Sequence, residues 1–471
     1  MSPCWRSTAP LTLDACPKSR RNPSTASPKG RISRLLAQDR ARANRIPIAA
    51  PPGSVPALRP GSPDIQHSRS RALRWSPLRA LAVGLLALLL AARITTEGAP
   101  ASVIERTLAT YARVPGPAPK LAWPRAGEAT VEVEGLGAMG SSGGGKPVPI
   151  ASVAKVMTAY LTLLEHPLAA GAGGFVMTIS PADVSEEERR LALGESTVAV
   201  RSGERLTERQ ALDALLIPSA NNIAALLAVH DAGSVAAFVA QMNSTAKKLG
   251  MRSTTYTDPS GFNDGTRSTA SDQLTLARYA MREQAFAGIV DQPAVALPVV
   301  GRVTNFNGLV GQEGYVGVKT GSDRAAGGCL VFAKRVVVAG RRLTILGVVL
   351  GQRGESLIEA ALSSARLLGA SSASALHVAT IVPGGSNVLR VSSADGRHVN
   401  AVSAEALQTV AWNGLAIPLR LIVAPLVKRP RAGEQIATLG AGAASSATVV
   451  VRSMRTLAGP SLGWRLEHVF G

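Results

Sequence analysis

The chain is poor in cysteine and in aromatic residues. Only three of its 471 residues are cysteines; Cys4 and Cys16 lie near the start and Cys329 is alone in the rest. A disulfide framework and a cysteine-based zinc site are both excluded. Aromatic residues make up 4% of the chain, too few for a surface that stacks nucleobases. Acidic residues are also scarce: 31 Asp and Glu stand against 51 Lys and Arg, and a net charge of +20 ordinarily points to nucleic acid. The excess is local, however, because residues 1–79 carry 15 of the basic and 3 of the acidic residues. The remainder is mildly basic, and no nucleic-acid partner is expected.

A hydrophobic content of 46% is enough for more than one core. Residues 1–79 hold 12 of the 30 prolines and no sustained apolar periodicity, so they read as a disordered basic tail. Ala80–Ala92 is an uncharged apolar run between Arg79 and Arg93, preceded by Arg69, Arg71 and Arg74. That positive flank keeps the tail in the cytoplasm and sends the rest outward. Thirteen helical residues rise about 20 Å, short of the roughly 30 Å hydrocarbon core. Residues 80–94 therefore serve either as a cleaved signal peptide or, with Arg79 snorkelling so that Trp75–Ile94 spans, as a signal anchor at the outer face of the membrane. Residues 95–119, ending in Val114-Pro115-Gly116-Pro117-Ala118-Pro119, read as a linker.

Residues 120–370 alternate strand and helix patterns. Ala129–Val133 reads as a strand. Ser152–Glu165 reads as a helix with Val156, Met157, Tyr160, Leu161 and Leu164 inward, and Thr207 with Gln210 is a capping-box start for Ala211–Leu216. Further helices are expected over Asn222–His230, Val235–Leu249 and Gln273–Arg282, and strands over Tyr315–Lys319, Gly328–Phe332 and Leu343–Leu350. A helix over Glu355–Leu368 is terminated by Gly369, with a hinge at Ser371–Ser374. The expected class is α+β, helices packed on one antiparallel sheet. Residues 375–468 read as a second, small all-β domain.

Three motifs carry chemistry. Ser152-Val153-Ala154-Lys155 puts a lysine one helical turn from a serine, at a helix start whose backbone N–H groups stabilise negative charge. A lysine with a depressed pKa is then a base for the serine hydroxyl. Ser244–Lys247 repeats the spacing and reads as a solvated helix face. Pro218-Ser219-Ala220-Asn221-Asn222 breaks two apolar helices and places a hydroxyl beside a carboxamide; an N-cap is the competing reading. Val318-Lys319-Thr320-Gly321-Ser322 ends a strand with an ammonium and a hydroxyl next to a glycine, an edge suited to a carboxylate. A plain strand exit is the competing reading there.

In this order the motifs resemble the low-molecular-mass penicillin-binding proteins, the D-alanyl-D-alanine carboxypeptidases. Pro149-Ile150-Ala151, Gly203-Glu204-Arg205-Leu206-Thr207, Asp258-Pro259-Ser260-Gly261 and Asn305-Phe306-Asn307 agree with it. The resemblance covers residues from about 120 to 369 and implies a β-lactamase/transpeptidase-like catalytic domain followed by a β domain. It implies Ser152 as acylated nucleophile, Lys155 as base, and Ser219 and Asn221 as proton relay and peptide holder. Lys319, Thr320, Gly321 and Ser322 bind the terminal carboxylate, and Ser152 and Ser322 supply the oxyanion N–H groups. The implied substrate is a cell-wall stem peptide ending in D-Ala-D-Ala, the implied inhibitors are β-lactams, and neither a metal nor an organic cofactor is implied.

Rival readings are a D,D-endopeptidase, a serine β-lactamase and a non-catalytic cell-wall binding protein. No glutamate occurs between Ile223 and Arg282, where a class A β-lactamase carries its deacylating carboxylate. Gly140–Gly144 fits a nucleophile-elbow pattern but reads as a flexible loop. His166, His230, His377, His398 and His468 show no metal-ligand spacing, Cys329 reads as a small core residue, and Glu186-Glu187-Glu188 reads as a solvated loop.

Overall fold

The computed structural model describes residues 77–96, 102–169, 171–425, 429–442 and 447–468. Expectations for residues 1–76, including Cys4 and Cys16, fall outside them. The helices are α1 (Pro77–Thr96), α2 (Lys155–Glu165), α3 (Pro181–Ala192), α4 (Glu208–Leu216), α5 (Asn221–Ala232), α6 (Val235–Lys248), α7 (Ala270–Ala280), α8 (Gln284–Val290) and α9 (Leu357–Ser374), with a short C-terminal helix over Leu462–Glu467. Among the described residues no single helix is long and apolar enough to cross a membrane.

A five-stranded antiparallel sheet organises the α+β part. Its order is Tyr315–Asp323, Gly327–Val338, Arg341–Gln352, Glu128–Val133, Gly137–Ser142. Cys329, Val331 and Ala333 face a core shared with α2, α4, α5 and α7, whereas Leu330 and Phe332 face a second core under α9. The alternation follows from the two-residue strand period, and cover on both faces makes the strands read as nearly continuous apolar runs.

Local signals explain most elements. Thr207 and Gln210 form the expected reciprocal capping box at α4. Leu163 rather than Leu164 is buried on α2, and Leu164 is 49% exposed. Glu186-Glu187-Glu188, expected in a solvated loop, lies inside α3, which Ser180 and Asp183 cap reciprocally; buried Glu187 accepts from the Thr197 hydroxyl at 2.8 Å. Gly140–Ser142 belongs to an edge strand, not a loop, because its backbone completes the ladder to Ala129–Val131.

The C-terminal end of α9 corrects another expectation. The helix runs through Gly369 and the supposed hinge to Ser374. A Cβ at 369 would lie 2.4 Å from the Tyr315 hydroxyl, so the glycine serves close packing rather than termination. The Tyr315 hydroxyl donates to Ala365 O at 3.1 Å. Ser372 and Ser374 turn their hydroxyls back onto helix carbonyls, which removes the polar signal of a hinge.

A second sheet has seven strands, in the order Val103–Arg106, Asn387–Ser392, His398–Ser403, Ala447–Ser453, Gln435–Ala441, Ala416–Val423, Tyr111–Arg113. Both edge strands come from the stretch expected to be linker. They are joined by residues 107–110, and Arg106 Nη2 donates to Leu419 O beside the opposite edge at 3.2 Å, so the sheet curls until its edges approach. Ile104, Leu108, Ala112 and Val114 enter its core, an alternation that the neighbouring prolines and glycines obscure in the sequence.

Candidate active site

Ser152 lies in a single 3-10 turn, Ala151–Ala154, that feeds α2; the first turn of the expected helix is tighter than α. Ala151 enters it at φ +46°, a left-handed conformation costly for a residue with a Cβ. Lys155 Nζ lies 2.7 Å from Ser152 Oγ and donates to Ser260 O at 3.0 Å. Lys155 is fully buried, and burial first, then the charge of Lys319, hold its pKa well below the usual lysine value. In the neutral amine the serine contact runs from the hydroxyl to the nitrogen lone pair, the arrangement of a nucleophile with its base.

The Asp258-Pro259-Ser260-Gly261 turn keeps Lys155 in place. The Asp258 carboxylate accepts from the Ser260 N–H and hydroxyl, the Phe262 N–H and the Thr266 hydroxyl. Thr158, one turn along α2 from Lys155, donates to Pro259 O at 2.6 Å.

The second motif is not an N-cap. The capping position of α5 is Ala220, which makes no side-chain cap bond. Ser219 stands at φ +66°, buried, and its Oγ has no partner. Helix capping explains neither the positive φ nor the unpartnered buried hydroxyl. Asn221 Nδ2 donates to Glu195 Oε2 at 2.7 Å while its Oδ1 has no partner. Its neighbour Asn222 is structural, exchanging bonds with Val198 O and N at 2.8 and 3.1 Å.

The third motif lies on the edge strand Tyr315–Asp323. Lys319 is buried, and burial pulls its pKa down to about 7. Its Nζ donates to Thr320 O at 2.9 Å. A Cβ at Gly321 would come within 2.9 Å of Ile150 O, Ser152 N and Val153 N, so only glycine lets this strand run against the nucleophile turn. Ser322 is half-buried at the strand end. All three motifs converge: the charges of Lys319 and Glu195 both reach Lys155, and Glu195 holds Asn221.

Glu195 had no signal in the sequence. It sits before the second motif on no shared element, and Arg190 Nη1 pairs with its Oε2 at 2.9 Å. Cys329 points into the core with burial pushing its thiol up to about 12, so it is no second nucleophile. Of the histidines, His166 and His230 are brought together with Asp231 although their sequence spacing suggests no ligand set.

Residues 141–354 match the family model described as D-alanyl-D-alanine carboxypeptidase. A D-alanyl-D-alanine carboxypeptidase of Mycobacterium tuberculosis is 35% identical over 211 residues, 42% of this chain and 65% of the relative. A D-alanyl-D-alanine endopeptidase of Escherichia coli is 30% identical over 200 residues, 39% of this chain and 58% of the relative. The chain thus spans less than two thirds of the length of these relatives. The crystal structure of a D-alanyl-D-alanine carboxypeptidase from Francisella tularensis superposes with a TM-score of 0.51 over 73% of this chain and 96% of that one, at 21% identity. This likeness shows the shared fold.

Proposed function

We propose that the chain is an exported, penicillin-sensitive serine D-Ala-D-Ala carboxypeptidase that trims peptidoglycan stem peptides. The observation that carries this reading is Lys155 Nζ at 2.7 Å from Ser152 Oγ, buried and depressed toward the neutral amine. Lys319 as ammonium, with Thr320, binds the terminal carboxylate and sets the last peptide bond over Ser152. Ser152 Oγ attacks the carbonyl carbon as its proton passes to Lys155. The backbone N–H groups of Ser152 and Ser322 hold the oxyanion. The C–N bond breaks, the proton reaches the leaving amine by way of the Ser219 hydroxyl, and D-Ala departs. Water reverses the sequence on the acyl-serine. Asn221 Oδ1 is free to accept the substrate's amide N–H, because Glu195 occupies its other end.

A β-lactamase is disfavoured by the carboxylates at hand. Asp258 and Glu195, whose charges reach Lys155, are both engaged: Asp258 accepts four hydrogen bonds, and Glu195 accepts from Asn221 Nδ2 and pairs with Arg190 Nη1, which leaves both poorly placed to activate water. Penicillin is therefore expected to stay bound. Export and membrane attachment rest on the apolar run Ala80–Ala92 and its basic flank.

Incubation of the protein with a pentapeptide muropeptide and a cross-linked muropeptide dimer tests the reading. Release of one D-Ala from the first is expected. Cleavage of the dimer alone makes the enzyme an endopeptidase, and turnover of neither leaves a binding protein.

A further inference from the structure

Both helices that begin at the catalytic motifs end at a second cluster. His166 is the C-terminal cap of α2, and His230 and Asp231 lie in the last turn of α5. His230 Nδ1 is 2.9 Å and His166 Nε2 3.5 Å from the same oxygen, Asp231 Oδ1, and the three donor atoms lie within 4.8 Å of one another. In tetrahedral zinc sites, with bonds of about 2.0–2.1 Å, neighbouring donors stand roughly 3.3 Å apart.

The surroundings orient these donors. Thr162, fully buried on α2, donates to Asp231 Oδ2 at 2.7 Å, which leaves Oδ1 for the imidazoles. Phe175 stacks on His230 at 4.0 Å between centroids and meets His166 edge-on at 4.8 Å. A cleft of about 300 Å³, lined in part by Leu161, Glu165, Asp231 and Phe238, opens beside Asp231.

An independent observation concerns Glu208, at the start of α4. It is 1% exposed and its Oε1 has no hydrogen-bond partner. The charges that act on it are those of His166, Asp231 and His230, so it belongs to the same neighbourhood. Two carboxylates beside two imidazoles, one carboxylate oxygen unsatisfied, are neutralised by one dication.

We propose that His166, His230 and Asp231 bind one divalent transition-metal ion of the zinc class, with the buried Glu208 carboxylate outside that ligand set and balancing its charge. The ion is structural. It ties the far ends of α2 and α5, about 14–17 Å along the helices from Lys155 and Asn221, and so fixes the spacing of the first two motifs. This inference does not depend on the proposed peptidase activity.

The test is zinc titration of full-length, chelator-stripped protein against a chromophoric chelator, with thermal melting alongside. One equivalent should bind with a dissociation constant in the micromolar range or below, and zinc should raise the melting temperature. His166→Gln and His230→Gln should each lose that equivalent or weaken it at least tenfold, while far-UV circular dichroism stays unchanged. Thr162→Ala, which removes no donor, should weaken binding less than either. No saturable equivalent below about 0.1 mM, or equal binding by wild type and histidine variants, overturns the proposal and leaves a hydrogen-bonded cluster.

Discussion

Glu195 Oε2 accepts a hydrogen bond from Asn221 Nδ2 at 2.7 Å, and this contact fixes which end of the Asn221 amide is left free. A carboxylate only accepts, so the amide nitrogen is committed to it and the oxygen is left for the cleft. Glutamine at 195 accepts or donates and removes that constraint. Glu195→Gln should slow acylation by penicillin roughly 10- to 100-fold, the loss of one charge-assisted hydrogen bond. The slowing should appear in the acylation rate constant, beside a lower melting temperature from loss of the buried pair with Arg190. Equal acylation rates would show that Glu195 does not position the amide.

Lys155 separates function from stability. A guanidinium does not surrender its proton, so Lys155→Arg should lower acylation by about three orders of magnitude or more. Lys155→Met removes a buried amine and keeps most of its volume; it should be equally inactive yet melt no lower than wild type. A fall of several degrees in Lys155→Met would mean that the bond to Ser260 O stabilises more than burial costs.

Lys319 gives the alkaline side of the pH profile. Carboxylate binding needs its ammonium, and in the empty site burial lowers its pKa to about 7. Above that pH, kcat/KM for a peptide substrate should fall about tenfold per unit, and Lys319→Arg should remove this limb if it still binds. Stability moves the other way. The folded state binds fewer protons than the unfolded state between about 7 and 10.5, so the cost of burying the ammonium is full below 7 and relieved as pH rises through that window. Melting temperatures of wild type and Lys319→Met should converge as the pH is raised from 7 to 10. An alkaline limb that persists in active Lys319→Arg contradicts the assignment.

Gly321 tests the closeness of strand and nucleophile. An added Cβ would press on three backbone atoms at 2.9 Å, including Ser152 N, and none is the end of a flexible side chain. Gly321→Ala should cost about 1–3 kcal/mol of stability, and penicillin acylation should drop by at least tenfold as the oxyanion N–H groups shift. Normal acylation would show that the turn yields without loss of alignment.

The three motifs were legible because each is fixed by short spacing along the chain: Ser152 with Lys155, Ser219 with Asn221, Lys319 to Ser322. What they sit on was less legible. Whether Ser219 caps a helix or idles in the cleft depends on its φ of +66°, which no local pattern reveals. Glu195 reaches Asn221 only through the packing of separate elements. Gly369 carries the same letter as a helix stop but answers to Tyr315, far away in sequence. The edge strands at Val103–Arg106 and Tyr111–Arg113 are too short to show a period through the proline-rich stretch that follows them.

The central claim is that Ser152, activated by Lys155, is acylated. Mass spectrometry of the protein after exposure to benzylpenicillin tests it most directly. One covalent equivalent should appear on the peptide containing Ser152, persist long after free drug is removed, and be absent from Ser152→Ala. An adduct that also forms on Ser152→Ala, or wild-type protein that never carries one, would contradict the account.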